Sequence, residues 1–307
     1  MNKKIDIIVL AGFLGAGKTT VLNELVRTFH DRKLGMLVND FGEVPVDGSL
    51  LKNENPELLE EGHKIYEIGN GSIFCSCLKA PFLYGLKYFE KEQPDLLFIE
   101  ASGLSDPSSM SKILSDHNLD DSFEIKQIVT LIDPVRYKAL IHVLDVIDRQ
   151  IQAADHILVN KTDLIPLREV DELLSDLAGR SSAPCQTGSF GQFDYSFILS
   201  SQTAERYAPM ESCNTPETRP GSLFLQGNFT DKQSLKDFLS RVEGAHYRLK
   251  GFVDIEGSVF YVSDNSRGYS ITPAQKPGIR RGLTVLCPKE NEEKILQLWK
   301  ELEGAAL

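Results

Sequence analysis

Near its amino terminus the chain reads Gly12-Phe13-Leu14-Gly15-Ala16-Gly17-Lys18-Thr19-Thr20, after an apolar run ending at Leu10 and before a segment with helical periodicity. A G-x4-G-K-T spacing between a strand and a helix leaves few folds open. Its glycines let the backbone wrap an anion with N–H groups facing inward, and the following helix adds its positive end. Lys18 is expected to reach the β- and γ-phosphates of a nucleotide, and Thr19 to offer its hydroxyl to Mg²⁺. Gly12, Gly15, Ala16, Gly17 and Thr20 complete the expected cradle.

Such a loop belongs to a P-loop NTPase fold, and the pattern downstream agrees. Short apolar or β-branched runs at 4–10, 34–39, 96–100, 125–132 and 156–160 alternate with longer helical segments. That alternation predicts an α/β domain over 1–178 with a doubly wound, mostly parallel sheet. Ligands in such sheets sit at the carboxyl ends of the strands, where each run here ends on a polar residue. Residues 179–220 are rich in Ser, Thr, Gly, Pro and Gln and read as a linker with some local packing. Residues 221–307 read as a smaller α+β domain. It has a strand from 222, a helix over 231–242, strands near 247–255, 258–262 and 283–287, and a final helix over 290–302. Trp299 lies on that last helix among Ile295, Leu298 and Leu302 and is expected to pack on the small domain's sheet.

Two strand ends carry further chemistry. Leu96-Leu97-Phe98-Ile99-Glu100 delivers a carboxylate followed by Ala101-Ser102-Gly103. Glu100 is expected to bind the metal through water or to orient the attacking water, with Gly103 among the nucleotide-binding residues of the same Walker B and switch II-like segment. The other reading of Glu100 is a helix cap. Asn160-Lys161-Thr162-Asp163 follows the apolar Ile157-Leu158-Val159. A carboxylate at Asp163 can accept from both N1–H and the exocyclic amine of guanine, a donor pair that adenine lacks. The expected nucleotide is therefore GTP. Asn160 is expected to tie this motif to the phosphate loop and Lys161 to lie along the base plane.

Together these segments resemble one family, the CobW-like GTPases, relatives of the UreG, HypB and MeaB chaperones of nickel and cobalamin enzymes. The resemblance rests on Gly12 to Thr20, Asn39-Asp40-Phe41-Gly42-Glu43, Glu100-Ala101-Ser102-Gly103-Leu104 with Pro107, Asn160-Lys161-Thr162-Asp163-Leu164, and Arg248-Leu249-Lys250-Gly251-Phe252 in the second domain. It implies a GTPase that delivers or inserts a metal, or services a metal-containing cofactor, for a client metalloenzyme or a corrinoid-dependent protein. A homo-oligomer is compatible with it. Asp40 is then a candidate for positioning water, and Glu43 for meeting Mg²⁺. Family members carry a Cys-x-Cys-Cys metal motif after an Asn-Gly pair. Here the stretch reads Asn70-Gly71-Ser72-Ile73-Phe74-Cys75-Ser76-Cys77, so Cys75 alone stays in register and Cys77 is added. Two thiolates suit Zn²⁺, Cu(I) or cobalt, given help from His63, Glu67, a partner's cysteine, or Cys185 and Cys213 of the linker stretch if these approach. The competing reading is a docking switch that carries no metal.

Bulk properties narrow the partners. A net charge of -11 over 307 residues argues against a general nucleic-acid binder. No apolar stretch approaches bilayer length, and 5–10 reads as a buried strand rather than a leader. Five cysteines form no disulfide framework, so a reducing cytoplasm is the expected location.

Overall fold

The computed structural model describes residues 3–39, 63–68, 79–200, 220–274 and 281–305. The chain divides into two compact units, Met1–Thr215 and Pro216–Leu307.

In the first unit, β1 (Ile5–Gly12), β2 (Leu34–Asn39), β3 (Lys64–Ile68), β4 (Leu96–Glu100), β5 (Phe123–Ile132), β6 (His156–Val159) and β7 (Cys185–Thr187) form one sheet. Their order is β3-β2-β4-β1-β5-β6-β7. Every pairing among these described strands is parallel. Helices α1 (Lys18–Thr28), α2 (Lys79–Glu92), α3 (Met110–Asp116), α4 (Pro134–Leu140), α5 (Asp145–Gln152) and α6 (Leu167–Arg180) connect them.

A parallel sheet must be covered on both faces, and the alternation along β1 shows how. Ile7 and Val9 point into a cluster with Phe82, Leu86 and Phe89 of α2 and Met110 and Leu114 of α3. Ile8 and Leu10 point the other way, onto Val21, Leu22, Leu25 and Val26 of α1. The spacing of those four α1 residues is what a one-sided helix needs. Each fully buried side chain of this size contributes about 1.5–3 kcal/mol, which is why the all-buried β4 sits centrally.

Two strands of this unit were not expected from the sequence. β3 has five residues and only its last is fully buried, so its apolar signal is weak. β7 lies inside the stretch 179–220 that reads as a linker. The structure corrects that reading for 181–200: β7 pairs with β6, and Tyr195, Phe197 and Ile198 are buried against α1's face of the sheet. Its three-residue strand is too short to leave a period, and its polar residues sit at an exposed edge.

The second unit contains β8 (Gly221–Leu225), β9 (Asn228–Phe229), α7 (Lys232–Val242), β10 (Arg248–Ile255), β11 (Ser258–Asn265), β12 (Gly268–Pro273), β13 (Gly282–Cys287) and α8 (Glu292–Ala305). Its sheet runs β12-β11-β10-β13-β8 with antiparallel pairings, and β9 adds to β10 in parallel. α7 starts at a capping box between Asp231 and Ser234, which satisfies two otherwise orphaned groups. Trp299 of α8 meets Phe229 and Phe238 edge-on, at centroid separations of 5.5 and 5.2 Å, and is buried in this core. No helix among the described residues is long and apolar enough to cross a membrane.

Candidate functional site

The parallel register sends the ends of β1, β4, β5 and β6 to one edge: Leu10 is level with Glu100, and Ile132 with Val159. The phosphate loop leaves β1 at Gly12, whose φ of 128° places a hypothetical Cβ 2.3 Å from the Leu131 carbonyl oxygen. Only glycine fits there. At the other end of the loop Gly17, φ 103°, opens α1, and a Cβ on it would meet Asn160 Nδ2 at 2.4 Å. The loop is thus compressed between β5 and the Asn160 motif, which fixes its curvature.

Inside it, Lys18 is buried and its Nζ donates to the carbonyls of Gly12, at 2.8 Å, and Phe13, at 3.3 Å. The ammonium therefore sits over the mouth of the loop. Thr19 Oγ1 donates to Glu100 Oε1 at 2.9 Å, which joins the two groups expected around a magnesium ion. Glu100 is only 3% exposed, and a carboxylate that deep needs cationic or hydrogen-bonding company. A hydroxyl and a buried carboxylate side by side at a helix start form an oxygen-donor set that suits Mg²⁺. Gly103 lies directly against the loop: a Cβ on it would come within 2.4 Å of the Leu14 nitrogen.

The chain after β4 is held from below. Ser102 and Ser105 exchange a hydroxyl hydrogen bond of 2.9 Å, and Asp106 caps the turn Pro107–Ser109 by accepting from Ser108 N. The capping reading of Glu100 is therefore filled by Asp106. Gln150 of α5, buried, donates Nε2 to Ser105 O at 2.8 Å and Gly103 O at 3.3 Å.

On the other side of the loop, Asn160 Nδ2 donates to Ala16 O at 2.9 Å, and its Oδ1 accepts from Gly191 N at 3.3 Å. Lys161, with φ 60°, donates Nζ to Gly15 O at 2.5 Å and to Asp133 Oδ2 at 2.8 Å. Asp133 in turn caps α4, accepting from Val135 N and Arg136 N. The Lys161–Asp133 pair is 12% and 2% exposed, so it is little screened by salt. Thr162 donates N and Oγ1 to Gly188 O, and Asp163 N donates to Ser189 Oγ at 3.1 Å. The Asp163 residue itself is exposed. Thr20 meets this same loop, lying 3.2 Å from where a Cβ on Gly191 would be.

Gly12, Gly15, Ala16, Gly17, Lys18, Thr19, Thr20, Glu100, Gly103, Asn160, Lys161 and Asp163 thus share one connected network. Asp40, Glu43, Cys75, Cys77 and Cys213 lie outside the described residues. His63, named as a helper for the cysteines, is instead buried at the amino end of β3, where Nδ1 accepts from Leu34 N at 3.1 Å. That is the sheet edge opposite the loops. Cys185 begins β7 in register with Ile157, exposed and also away from the carboxyl edge. Among the described residues no three His, Cys, Asp or Glu side chains group closely enough to hold a metal.

Three contributors escaped the sequence reading: Asp133, Gln150 and the loop Gly188–Gly191. Asp133 carried a signal, an aspartate before Pro134 at the end of an apolar strand, which is how a capped helix begins. Gln150 carried a weaker one, a polar residue on the apolar face of Ile147 and Ile151.

Comparison with known proteins follows the same lines. The zinc chaperone CobW of Sinorhizobium sp is 28% identical over 83% of this chain and 82% of its own length. The zinc chaperone YjiA of Escherichia coli K12 is 29% identical over 75% of this chain and 70% of its own. The crystal structure of Zn(II)-bound YjiA GTPase from E. coli aligns over 98% of this chain and 99% of that one, at 21% identity and a TM-score of 0.47. The family model described as CobW/HypB/UreG, nucleotide-binding domain, matches residues 6–184, more than half of the chain and nearly all of the network above; the chain belongs to that family.

Proposed function

We propose that this protein binds GTP across the two loops, hydrolyses it, and uses the cycle to pass a metal ion to a client protein. The observation that carries the reading is the hydrogen bond from Asn160 Nδ2 to Ala16 O, which couples a phosphate cradle to a guanine-type motif. On this reading Lys18 exchanges its carbonyl partners for phosphate oxygens, where its charge and the loop N–H groups stabilise the transferring phosphoryl group. Thr19 and Glu100 would hold Mg²⁺, which when bound supplies positive charge against the β- and γ-phosphate oxygens. Glu100 or Asp40 orients the attacking water. Asp163 accepts from guanine, and Lys161, clamped by Asp133, keeps the motif in register. None of these motifs offers an arginine, so intrinsic turnover is slow until a client or second subunit supplies charge.

The cargo in this reading is zinc, supported by the zinc chaperones among the relatives. Cys75 and Cys77 supply thiolate ligands, which a reducing cytoplasm keeps available. The client is a metalloenzyme, a corrinoid-dependent one among the candidates.

Turnover of GTP, ATP and XTP, together with bound zinc, tests this. The wild type prefers GTP, and Asp163→Asn shifts the preference toward XTP; an unchanged preference removes the guanine reading. Cys75→Ser/Cys77→Ser abolishes zinc binding and client activation while sparing hydrolysis. Activation that persists in that variant makes the protein a docking switch instead.

A further inference from the structure

The segment after β4 meets the phosphate loop on one side and α5 on the other. Ser102 to Ser105 form a tight turn, closed by a hydrogen bond from Ser105 N to Ser102 O at 2.9 Å and by the contact between the two hydroxyls. Gly103 and Leu104 are its central residues. Turn types differ chiefly in the orientation of the peptide between those two positions, so an outside partner on its carbonyl selects one orientation.

Gln150 is that partner. It lies on α5 beside the buried Ile147 and Ile151, is only 1% exposed, and its Nε2 donates to Ser105 O at 2.8 Å and to Gly103 O at 3.3 Å. A carbonyl oxygen only accepts, so the amide nitrogen with its two hydrogens is the end that faces them. One side chain therefore grips both the central carbonyl of the turn and the carbonyl of its last residue. The grip comes from a fixed support: Thr130 Oγ1 of β5 donates to the Gln150 backbone carbonyl at 2.7 Å, and Arg180 of α6 donates Nη1 to Asp148 at 3.0 Å. On its other side the turn lies against the phosphate loop, where a Cβ on Gly103 would come within 2.4 Å of Leu14 N and 2.5 Å of Leu14 Cγ. At the head of the same segment, Glu100 accepts from Thr19.

We propose that Gln150 is a positioning residue for GTP hydrolysis, holding the Gly103 turn against the phosphate loop where the third phosphate meets it, so that the turn is set before nucleotide arrives. This rests on the reading of Gly103 as a nucleotide-binding residue. Gln150 acts through the turn and touches no phosphate itself. A nucleotide that lacks the third phosphate is therefore indifferent to it, and one that carries it is not.

The test is Gln150→Met, close in shape and without donors, with Gln150→Glu as a partner that keeps the shape and puts an acceptor where the donor was. Affinities for GDP and for a non-hydrolysable GTP analogue are measured with Mg²⁺ by calorimetry, together with steady-state GTP hydrolysis and melting temperatures of the free proteins. Gln150→Met is expected to keep GDP affinity within about twofold, to weaken the analogue about tenfold and to lower kcat by about the same factor, in line with one or two lost hydrogen bonds. Gln150→Glu loses more of both. In the wild type, exchange of the Ser105 amide is already slow without nucleotide, a measurement that does not depend on whether either variant folds. A lowered melting temperature with the analogue-to-GDP affinity ratio and kcat unchanged makes Gln150 structural and overturns the proposal. An equal loss for GDP and the analogue overturns it too, as does a wild-type Ser105 amide that slows only when the analogue binds. Gly103→Ala with an unchanged analogue-to-GDP ratio overturns the reading of Gly103 itself, a distinguishable failure.

Discussion

The phosphate end of the site is one unbroken stretch, Gly12 to Thr20, shaped by its backbone: glycines at positive φ, and neighbours so close that a single Cβ would collide. The end proposed to hold the base is assembled from three separated stretches, Asp133, Asn160–Asp163 and Gly188–Gly191, and is held mainly by side-chain hydrogen bonds. A backbone-shaped cradle tolerates almost no substitution at its tight points. A side-chain assembly gives way in steps, each the size of one or two hydrogen bonds.

The difference can be broken or sharpened by substitution. The largest effect is expected at Gly12→Ala, whose methyl would lie 2.3 Å from a backbone oxygen. It should lose about 4 kcal/mol or more of stability, read as a collapse of the urea midpoint. The contrast between the two ends fails if that variant is no worse than Asn160→Ala. The latter removes one buried donor and one acceptor and strands the Ala16 carbonyl and the Gly191 N–H, for about 2–3 kcal/mol. Nucleotide affinity should fall with it even though Lys18 and Thr19 are intact.

Asp133→Asn is expected to be milder, about 1.5 kcal/mol, because the amide oxygen can still cap α4 while Lys161 keeps Gly15 O. The loss should be nearly independent of salt, since the pair is largely buried. A loss that vanishes in high salt would place the pair in solvent.

The smallest effect separates the two ends by pH. His156, at the start of β6 beneath the base motif, stacks on Phe197 at 3.9 Å, and burial lowers its pKa. The unfolded chain then takes up this proton before the folded one does. Stability is complete above the ordinary histidine range of about 6.5 and declines as pH falls through it. Hydrogen exchange at pH 5.5 should show β6 and β7 loosening before β1 and β4, and His156→Phe should flatten the difference.

The two ends also differ in how far they could be read from sequence. The phosphate loop was legible because anion wrapping requires consecutive N–H groups, so its chemistry and its spacing coincide in one stretch. Asn160–Asp163 was legible for the same reason, with its expected tie to the loop. Asp133, Gln150 and Gly188–Gly191 act through contacts across 20 to 50 positions, such as Gln150 to Ser105, and no local period marks such a contact. The loop Gly188–Gly191 lay hidden because its polar, glycine-containing surroundings look like a linker. In physical terms they are a sheet edge plus a stapled loop. His63 misled for the opposite reason, since nearness in sequence to the cysteine loop hid its place at the far end of a parallel strand.

The bonds from Asn160 to Ala16 and from Lys161 to Gly15 are made within the chain, so the spacing between the two grips is set when the protein folds. Little ordering of these parts is left for a ligand to impose, and the entropic penalty of association is correspondingly small. Variants within either grip should therefore differ in residence time far more than in capture rate, so the lifetime of the bound nucleotide becomes the clock of the cycle.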